Sequence, residues 1–379
     1  MAREFIVPGQ MISGSGALDM AQDTLGTLGK KAMIVTDKVM IDLGNCAKVE
    51  NALKSQGVEY TIYSEIAGEP TDVMIEKGLA QYKAERCDFL VALGGGSPID
   101  SMKAIGSLVK NGGSISDYMG KVIDVEMPPM VAIPTTAGTG SEVTAFSVIT
   151  DHKRNYKLTV FSYELIPAYA LLDPTLLTSV PASVAAACGV DALIHAEEAY
   201  VSLDASPFSE AMSEKAMELI GRSIRTYVAD RSNREAASDM LAGSLFAGMA
   251  FSWARLGNIH AMSHPVSAFY NVPHGVANGI LFPYVVKYNE EAAFEKYRKI
   301  YNNISTEKKS AEEFSKGMLE QAVRELNKQL GIPAKLSDVG VTREHFSQMT
   351  EDAMKSGNIA INPQKTVRED ILALYKEAL

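Results

Sequence analysis

Six histidines occur in 379 residues, and His260, His264 and His274 fall inside one stretch, FSWARLGNIHAMSHPVSAFYNVPHGVANGILF (251–282). A fourth, His195, follows Asp191 by four residues in GVDALIHAEEAY. Imidazole and carboxylate are what a protein offers a divalent first-row metal when it uses no thiolate. The i, i+4 spacing of Asp191 and His195 puts both on one face of a helix. His260 and His264 repeat that spacing. His274 lies in a Pro-His-Gly turn, where a non-helical backbone could aim a further donor back at the others. A lone histidine on an apolar face is more often a hydrogen-bonded core residue than a ligand. Two paired spacings and a turn histidine together point to a metal site. His152 and His345 sit in ordinary polar surroundings.

The first half of the chain offers groups suited to a phosphate. Gly94, Gly95 and Gly96 follow the apolar run LVAL, and Ser97-Pro98-Ile99-Asp100 opens the next helical stretch. Ser97 is the expected N-cap, with Pro98 at N1 and Asp100 at N3 completing an arrangement like a capping box. Glycines admit a phosphate to the backbone, and the helix N-terminus presents free N–H groups to it. Three glycines are also what a tight strand–helix turn looks like. A second loop, PTTAGTGSEVT (134–144), sets hydroxyls beside glycines, and Lys157 adds a cation nearby in sequence. No GxGxxG follows the first apparent strand, since SGSGAL precedes it. Asp37, at the end of KKAMIVTD, stands where a strand-end carboxylate binds ribose hydroxyls. A negative charge there repels a 2′-phosphate and favours NAD over NADP.

The elements that must position these groups change character along the chain. KKAMIVTD (30–37), VEYTIY (58–63), CDFLVALGGGS (87–97, running into its glycines) and MVAIPTT (130–136) read as strands, and the stretches 46–56, 74–85 and 98–111 read as helices between them. That alternation predicts a doubly wound α/β domain over 1–180. From about Val180 the sequence becomes Ala- and Met-rich with helical periodicity. PASVAAACGVDALIHAEEAYVS, SPFSEAMSEKAMELIGRSIRTYVA, EAASDMLAGSLFAGMAFSWA, SAEEFSKGMLEQAVRELNKQLG and VREDILALYKEAL predict an all-α domain over 181–379. Two domains also suit the length, since single cores stop growing near about 250–300 residues.

Composition narrows the partners. With 46% hydrophobic and 22% charged residues and a net charge of −10, the chain reads as an ordinary globular protein without a basic, aromatic-interleaved surface for nucleic acid. No apolar run approaches the roughly 18–20 residues of a membrane span, and MAREFIVPGQ lacks a signal pattern. Three scattered cysteines without CxxC spacing fit a reducing compartment, so the expected location is cytoplasmic. The expected assembly is a homodimer or a larger homo-oligomer.

GGGSPID, PTTAGTGSEVT, GVDALIHAEEAYVS and HAMSHPVSAFYNVPHGVAN, in that order and spread along the chain, resemble the iron-containing (group III) alcohol dehydrogenases. The resemblance implies a dehydroquinate synthase-like architecture, with an α/β dinucleotide-binding domain, a helical metal-binding domain and an active site in a cleft between them. It implies Asp191, His195, His260 and His274 as metal ligands, with His264 a proton-relay residue near the nicotinamide. It implies NAD(H) contacts from Asp37, Gly95, Gly96, Ser97, Thr136, Thr139 and Lys157. Three imidazoles and one carboxylate leave a bound divalent cation net positive charge and open positions, a Lewis acid for a substrate oxygen. Ligand softness does not choose between Fe²⁺, Zn²⁺, Mn²⁺ and Ni²⁺; iron is what the resemblance implies.

The expected reaction is NAD(H)-dependent interconversion of a small aldehyde and its primary alcohol. Lyases of the dehydroquinate synthase type share a related architecture but not the HAMSHP…NVPHG wording. A purely structural metal would more often be closed off by cysteines. By resemblance, Phe146, Phe251, Leu256 and Asn358 match substrate-pocket positions. Where relatives read N-x-x-G-L-G, this chain has Ser252-Trp253-Ala254-Arg255-Leu256-Gly257, which adds Trp253 and Arg255 to the pocket segment. The late NPR-like motif reads Asn362-Pro363-Gln364. Arg255 suits a sulfonate or carboxylate tail, as in sulfoacetaldehyde or a semialdehyde. On a helix continuous to His260, however, Arg255 would point away from that ligand. A neutral aldehyde such as lactaldehyde or 3-hydroxypropionaldehyde is the other expectation.

Overall fold

KAMIV, FLVALG and MVAIP are buried along almost their whole length, as strands must be when helices cover both faces of a sheet. The computed structural model describes residues 4–121, 123, 125–154 and 156–379. Its strands are β1 (Gln10–Ser13), β2 (Lys31–Val35), β3 (Glu59–Tyr63), β4 (Phe89–Gly94), β5 (Met130–Pro134), β6 (Phe146–Asp151), β7 (Tyr156–Phe161) and β8 (Tyr169–Leu172). Among the described residues six of them form a sheet in the order β1-β8-β5-β4-β2-β3, with every pairing parallel.

Successive residues of a strand face opposite ways, and the core divides accordingly. Met33, Val35, Leu90, Ala92, Met130 and Ala132 join Ile75, Tyr82, Ile99 and Met102 on one face. Ala32, Ile34, Phe89, Val91, Leu93 and Ile133 join Leu18, Leu25, Val49 and Leu53 on the other. The covering helices are α1 (Ala17–Met20), α2 (Gln22–Thr27), α3 (Lys38–Asp42), α4 (Asn45–Ser55), α5 (Asp72–Ala84) and α6 (Gly96–Asn111). Helices α5 and α6 cover the first face and α1, α2 and α4 the second. After β2 the chain steps outward to β3, then returns to β4 on the other side of β2. That reversal makes a switch point, beyond whose strand C-termini ligands of open α/β sheets bind.

An antiparallel hairpin β6–β7, not read from the sequence, follows β5. Strand β6 turns Ser147 and Asp151 to its buried side, against the usual apolar-in pattern, while β7 alternates with Leu158 and Val160 buried. Two sequence expectations for this unit are corrected. Helix α6 begins at Gly96, so Ser97 is its second residue, and its N-cap is Gly95 without a side-chain cap bond. Asp100 does not cap either. Its carboxylate accepts from Ser141 Oγ (2.5 Å) and Val148 N–H (3.0 Å), which tie the helix to the following loop and hairpin.

Val180 ends the first compact unit and Pro181 opens the second. The second contains α7 (Ala182–Val201), α8 (Pro207–Ala229), α9 (Arg234–Ala254), α10 (Asn258–Tyr270), α11 (His274–Ile304), α12 (Met318–Leu330), α13 (Phe346–Met354) and α14 (Arg368–Ala378). Helix α7 is buried nearly all round from Ala185 to Val201, the pattern of a central helix rather than a surface one. The stretch SAEEFSKG, expected to be helical, is turn; Gly317, at φ 81°, precedes the first turn of α12. His274 also departs from expectation: it is the first residue of α11, with Pro273 as N-cap, rather than part of a turn.

Candidate functional site

Three helices of the second unit bring their donors together. On α7, Asp191 and His195 share a face as their spacing requires; α10 carries His260 and His264, and α11 carries His274. Asp191, His195 and His260 are buried, and one donor atom from each lies within 4.8 Å of the others. Asp191 Oδ1 stands 3.9 Å from His195 Nε2, 3.6 Å from His260 Nε2 and 3.9 Å from His274 Nε2. Burial opposes ionisation of Asp191, yet the surrounding imidazoles hold its carboxyl well below the usual range. Burial likewise opposes charge on His260, but in the metal-free protein the neighbouring carboxylates of Asp191 and Glu198 outweigh it and push its pKa up to about 9.

The rings are packed as well as aimed. His195 stacks between Phe251 (4.5 Å) and His260 (4.6 Å). His264 stands one layer out, stacked on His274 at 5.1 Å and edge-on to His260 at 6.3 Å. Gly275 explains how α11 comes so close: a Cβ there would sit 2.3 Å from the backbone oxygen of Ala187 on α7. Elsewhere His152 pairs with Asp72 (2.7 Å), and His345 lies against Phe269 (5.0 Å), an aromatic rather than a polar setting.

Asn278, one turn after His274, tests whether this set fits a cation. Its Nδ2 donates to Asp191 Oδ1 (2.6 Å) and lies 3.2 Å from His260 Nε2 and 3.1 Å from His274 Nε2. An electropositive N–H group thus stands where the donors converge, in the role a cation would take. Its amide oxygen is buried with no hydrogen-bond partner among the described residues. The donor chemistry fits a divalent ion.

In the first unit, β2, β4 and β5 lie side by side with their C-terminal ends level. Val35 pairs with Ala92 and Gly94 with Pro134, so Asp37, the Gly94–Ser97 turn and the Thr135–Thr139 loop follow adjacent strand ends. Cβ atoms on Gly95 and Gly96 would lie 3.1 Å from Thr136 Oγ1 and 2.6 Å from Thr139 Cγ2, so four of the expected cofactor residues are brought together. Ser97 stands in the first turn of α6. Asp37 caps α3, accepting from Met40 N–H (2.9 Å). Lys157 stands on β7 with its ammonium 3.2 Å from Glu69, engaged with a carboxylate.

The expected substrate residues are distributed unevenly. Phe146 lies in the first unit, on β6, against Phe161 (5.0 Å). Trp253 is half-buried in the last turn of α9 and Leu256 half-buried just beyond it. The helix expected to run on to His260 breaks at Arg255–Gly257. Arg255 is exposed, at φ 61° and ψ −168°. Its guanidinium lies over Gly357, 3.5 Å from where a Cβ would be, and so next to Asn358.

Three functional side chains were not foreseen. Lys103 is buried in α6 and donates to Thr144 O (2.9 Å), Thr144 Oγ1 (3.1 Å) and Phe146 O (2.8 Å), holding the second loop against the helix. Burial lowers its pKa to about 8 against the opposing charges of Asp100 and Glu142. Glu198 contacts His260, and Asn278 contacts Asp191, His260 and His274. Each had a spacing signal: Asp100/Lys103 at i, i+3, His195/Glu198 at i, i+3, and His274/Asn278 at i, i+4.

Comparison with known proteins agrees with this geometry. The family profile described as "Iron-containing alcohol dehydrogenase" matches residues 8–174, and "Fe-containing alcohol dehydrogenase family, C-terminal" matches residues 185–379. The chain is 38% identical over 382 residues to 1,3-propanediol dehydrogenase of Klebsiella pneumoniae, covering 99% of this chain and 98% of that one. It is 38% identical over 385 residues to lactaldehyde reductase of Escherichia coli (strain K12), covering 100% of both. A crystal structure of sulfoacetaldehyde reductase from Bifidobacterium kashiwanohense in complex with NAD⁺ superposes with a TM-score of 0.87 at 28% identity, over 100% of this chain and 99% of that one. The chain therefore belongs to the iron-containing alcohol dehydrogenase family, oxidoreductases that act on CH–OH groups.

Proposed function

We propose that this chain interconverts a small aldehyde bearing an anionic tail and its primary alcohol. In this reading residues 1–180 bind NAD(H), and residues 181–379 hold a divalent metal through Asp191, His195, His260 and His274. Iron is the metal that family membership favours, and Zn²⁺ or Mn²⁺ suit the same donors. The observation that carries the reading is the convergence of Asp191, His260 and His274 on the Asn278 N–H group, with His195 Nε2 3.9 Å from the same Asp191 oxygen. When bound, the metal supplies a Lewis acid for the substrate oxygen, and the nicotinamide exchanges hydride with the carbinol carbon.

The chain's own residues supply alignment, dryness and proton handling. Phe251 covers one face of His195 and keeps water from it. His264, half-buried and one layer out, hands a proton to or from the substrate oxygen at its ring nitrogen. Trp253 and Leu256 provide apolar walls, and Arg255 beside Asn358 provides the charge for the tail.

Loss of NADH absorbance with a panel of neutral and anionic aldehydes tests the reading, using metal-free and metal-reconstituted protein. Turnover that needs both aldehyde and metal is the expected result; none with any aldehyde overturns it. A homo-oligomer belongs to the same proposal. Strand β1 ends the sheet with Met11 exposed, and an open strand edge favours pairing with another chain. A cytoplasmic location is supported by the three free cysteines. Among the described residues no helix is long and apolar enough to cross a membrane.

Asp37→Ser is expected to shift preference from NADH toward NADPH. Serine keeps an N-cap acceptor for Met40 N–H, so the fold is spared while the charge facing a 2′-phosphate is removed. One such charge contact at a partly solvated site is worth on the order of 1–4 kcal/mol. The ratio of kcat/KM values for the two cofactors reads the shift. Wild-type protein preferring NADPH would contradict the assignment outright.

A further inference from the structure

Glu198 lies on α7, one turn beyond His195, and is buried. Its two oxygens are both committed to α10. Oε2 is 2.6 Å from His260 Nδ1, and Oε1 accepts the backbone N–H of Ile259 at 2.6 Å. Asn362 takes the neighbouring N–H, its Oδ1 accepting from Asn258 N–H (3.2 Å), so the buried start of α10 is closed by two side chains. Gly257 is shaped by the same contacts, since a Cβ there would lie 2.9 Å from Asn362 Oδ1 and 3.0 Å from Glu198 Oε1.

A carboxylate accepts and cannot donate. We propose that Glu198 is the positioning residue for His260: it accepts the Nδ1–H, fixes that tautomer and ring orientation, and leaves the Nε2 lone pair facing the point shared with Asp191 and His274. The opposite edge of the ring agrees, because Asn278 Nδ2, a donor, lies 3.2 Å from Nε2. Through Ile259 N–H the same carboxylate sets the start of α10, so one side chain fixes both the ring and the helix that carries it. Outer carboxylates of this kind raise ligand basicity, and their loss lowers metal affinity by about 10–100-fold.

This inference rests on the metal reading above, and Glu198→Gln separates the two. Glutamine is nearly isosteric. Its amide oxygen can still accept from Ile259 N–H, while its NH₂ then faces His260 Nδ1 and forces the proton onto Nε2. The first measurement is Zn²⁺ affinity of the metal-free protein, by competition with a chelator, alongside thermal melting of the metal-free protein. The expected result is a 10–100-fold weaker Zn²⁺ affinity in Glu198→Gln. Melting of the metal-free variant should remain one cooperative transition, lowered because glutamine replaces the buried carboxylate that faces His260. Equal affinity in both proteins overturns the positioning role. Wild-type protein that does not bind Zn²⁺ overturns the metal reading itself. The second measurement needs no variant: ¹⁵N NMR of histidine-labelled, Zn²⁺-loaded wild type should show His260 protonated at Nδ1, and protonation at Nε2 would overturn the proposal.

Discussion

Replacing His260 or His274 by Ala is expected to abolish turnover and to lower metal content, while His264→Ala slows turnover with the metal retained. His260 Nε2 and His274 Nε2 stand 3.6 and 3.9 Å from Asp191 Oδ1, and each belongs to the set that surrounds one point. His264 stacks on His274 and lies edge-on to His260, one layer out from that point, so its removal touches proton transfer and packing rather than coordination. Proton transfer by a positioned side chain contributes typically about 10²–10⁴-fold, which bounds the loss for His264→Ala. His260→Ala also strands the buried Glu198 carboxylate, and breaking a buried pair by removing one partner costs about 3–5 kcal/mol. His274 is 23% exposed where His260 is buried, so His274→Ala disturbs the core less and is the cleaner of the two ligand tests. Elemental analysis beside NADH turnover decides the matter. Full metal occupancy in both ligand variants would remove the assignment.

Arg255→Ala is expected to weaken kcat/KM for an anionic aldehyde and to leave a neutral one of equal length unchanged. The break at Arg255–Gly257 removes the objection that a continuous helix would turn the side chain away from His260. The guanidinium lies over Gly357, beside Asn358, and among the described residues no carboxylate pairs with it within 4.0 Å. A hydrogen bond to a charged group is worth about 1.5–3 kcal/mol, or roughly 10- to 150-fold. Because Arg255 is exposed, the lower half of that range is the expectation. Equal losses on both substrates, or none, would make Arg255 structural and the substrate a neutral aldehyde.

How much of this was legible in the sequence depended on whether a group acts through regular spacing. The i, i+4 pairs Asp191/His195 and His260/His264 became shared helix faces because helical geometry leaves no other outcome. The buried strands β2, β4 and β5 were equally plain, since each was a short unbroken apolar run. By contrast, β1 and the equally buried but only four-residue β8 were not read as strands. The β6–β7 hairpin was not legible either, because the inward residues of β6 include Ser147 and Asp151. Ser97 and Asp100 looked like a cap by local pattern. The pull of Ser141, Val148 and buried Lys103 on Asp100 is a tertiary effect that no window around residue 97 contains. Glu198 and Asn278 were hidden for a related reason. A carboxylate or amide inside a helix looks like an exposed residue until burial shows otherwise.

The backbone of Arg255 has one further consequence. At φ 61° and ψ −168° it occupies a region that is essentially glycine's own, and a side chain there costs about 1–3 kcal/mol. Arg255→Gly should therefore raise the melting temperature while erasing any preference for a charged substrate. In evolutionary terms the position is a ratchet that slips easily. The single substitution that broadens substrate choice is also the one that relieves the fold. If Arg255 serves no charged substrate, nothing in the backbone opposes its replacement by glycine, and no compensating change elsewhere is needed.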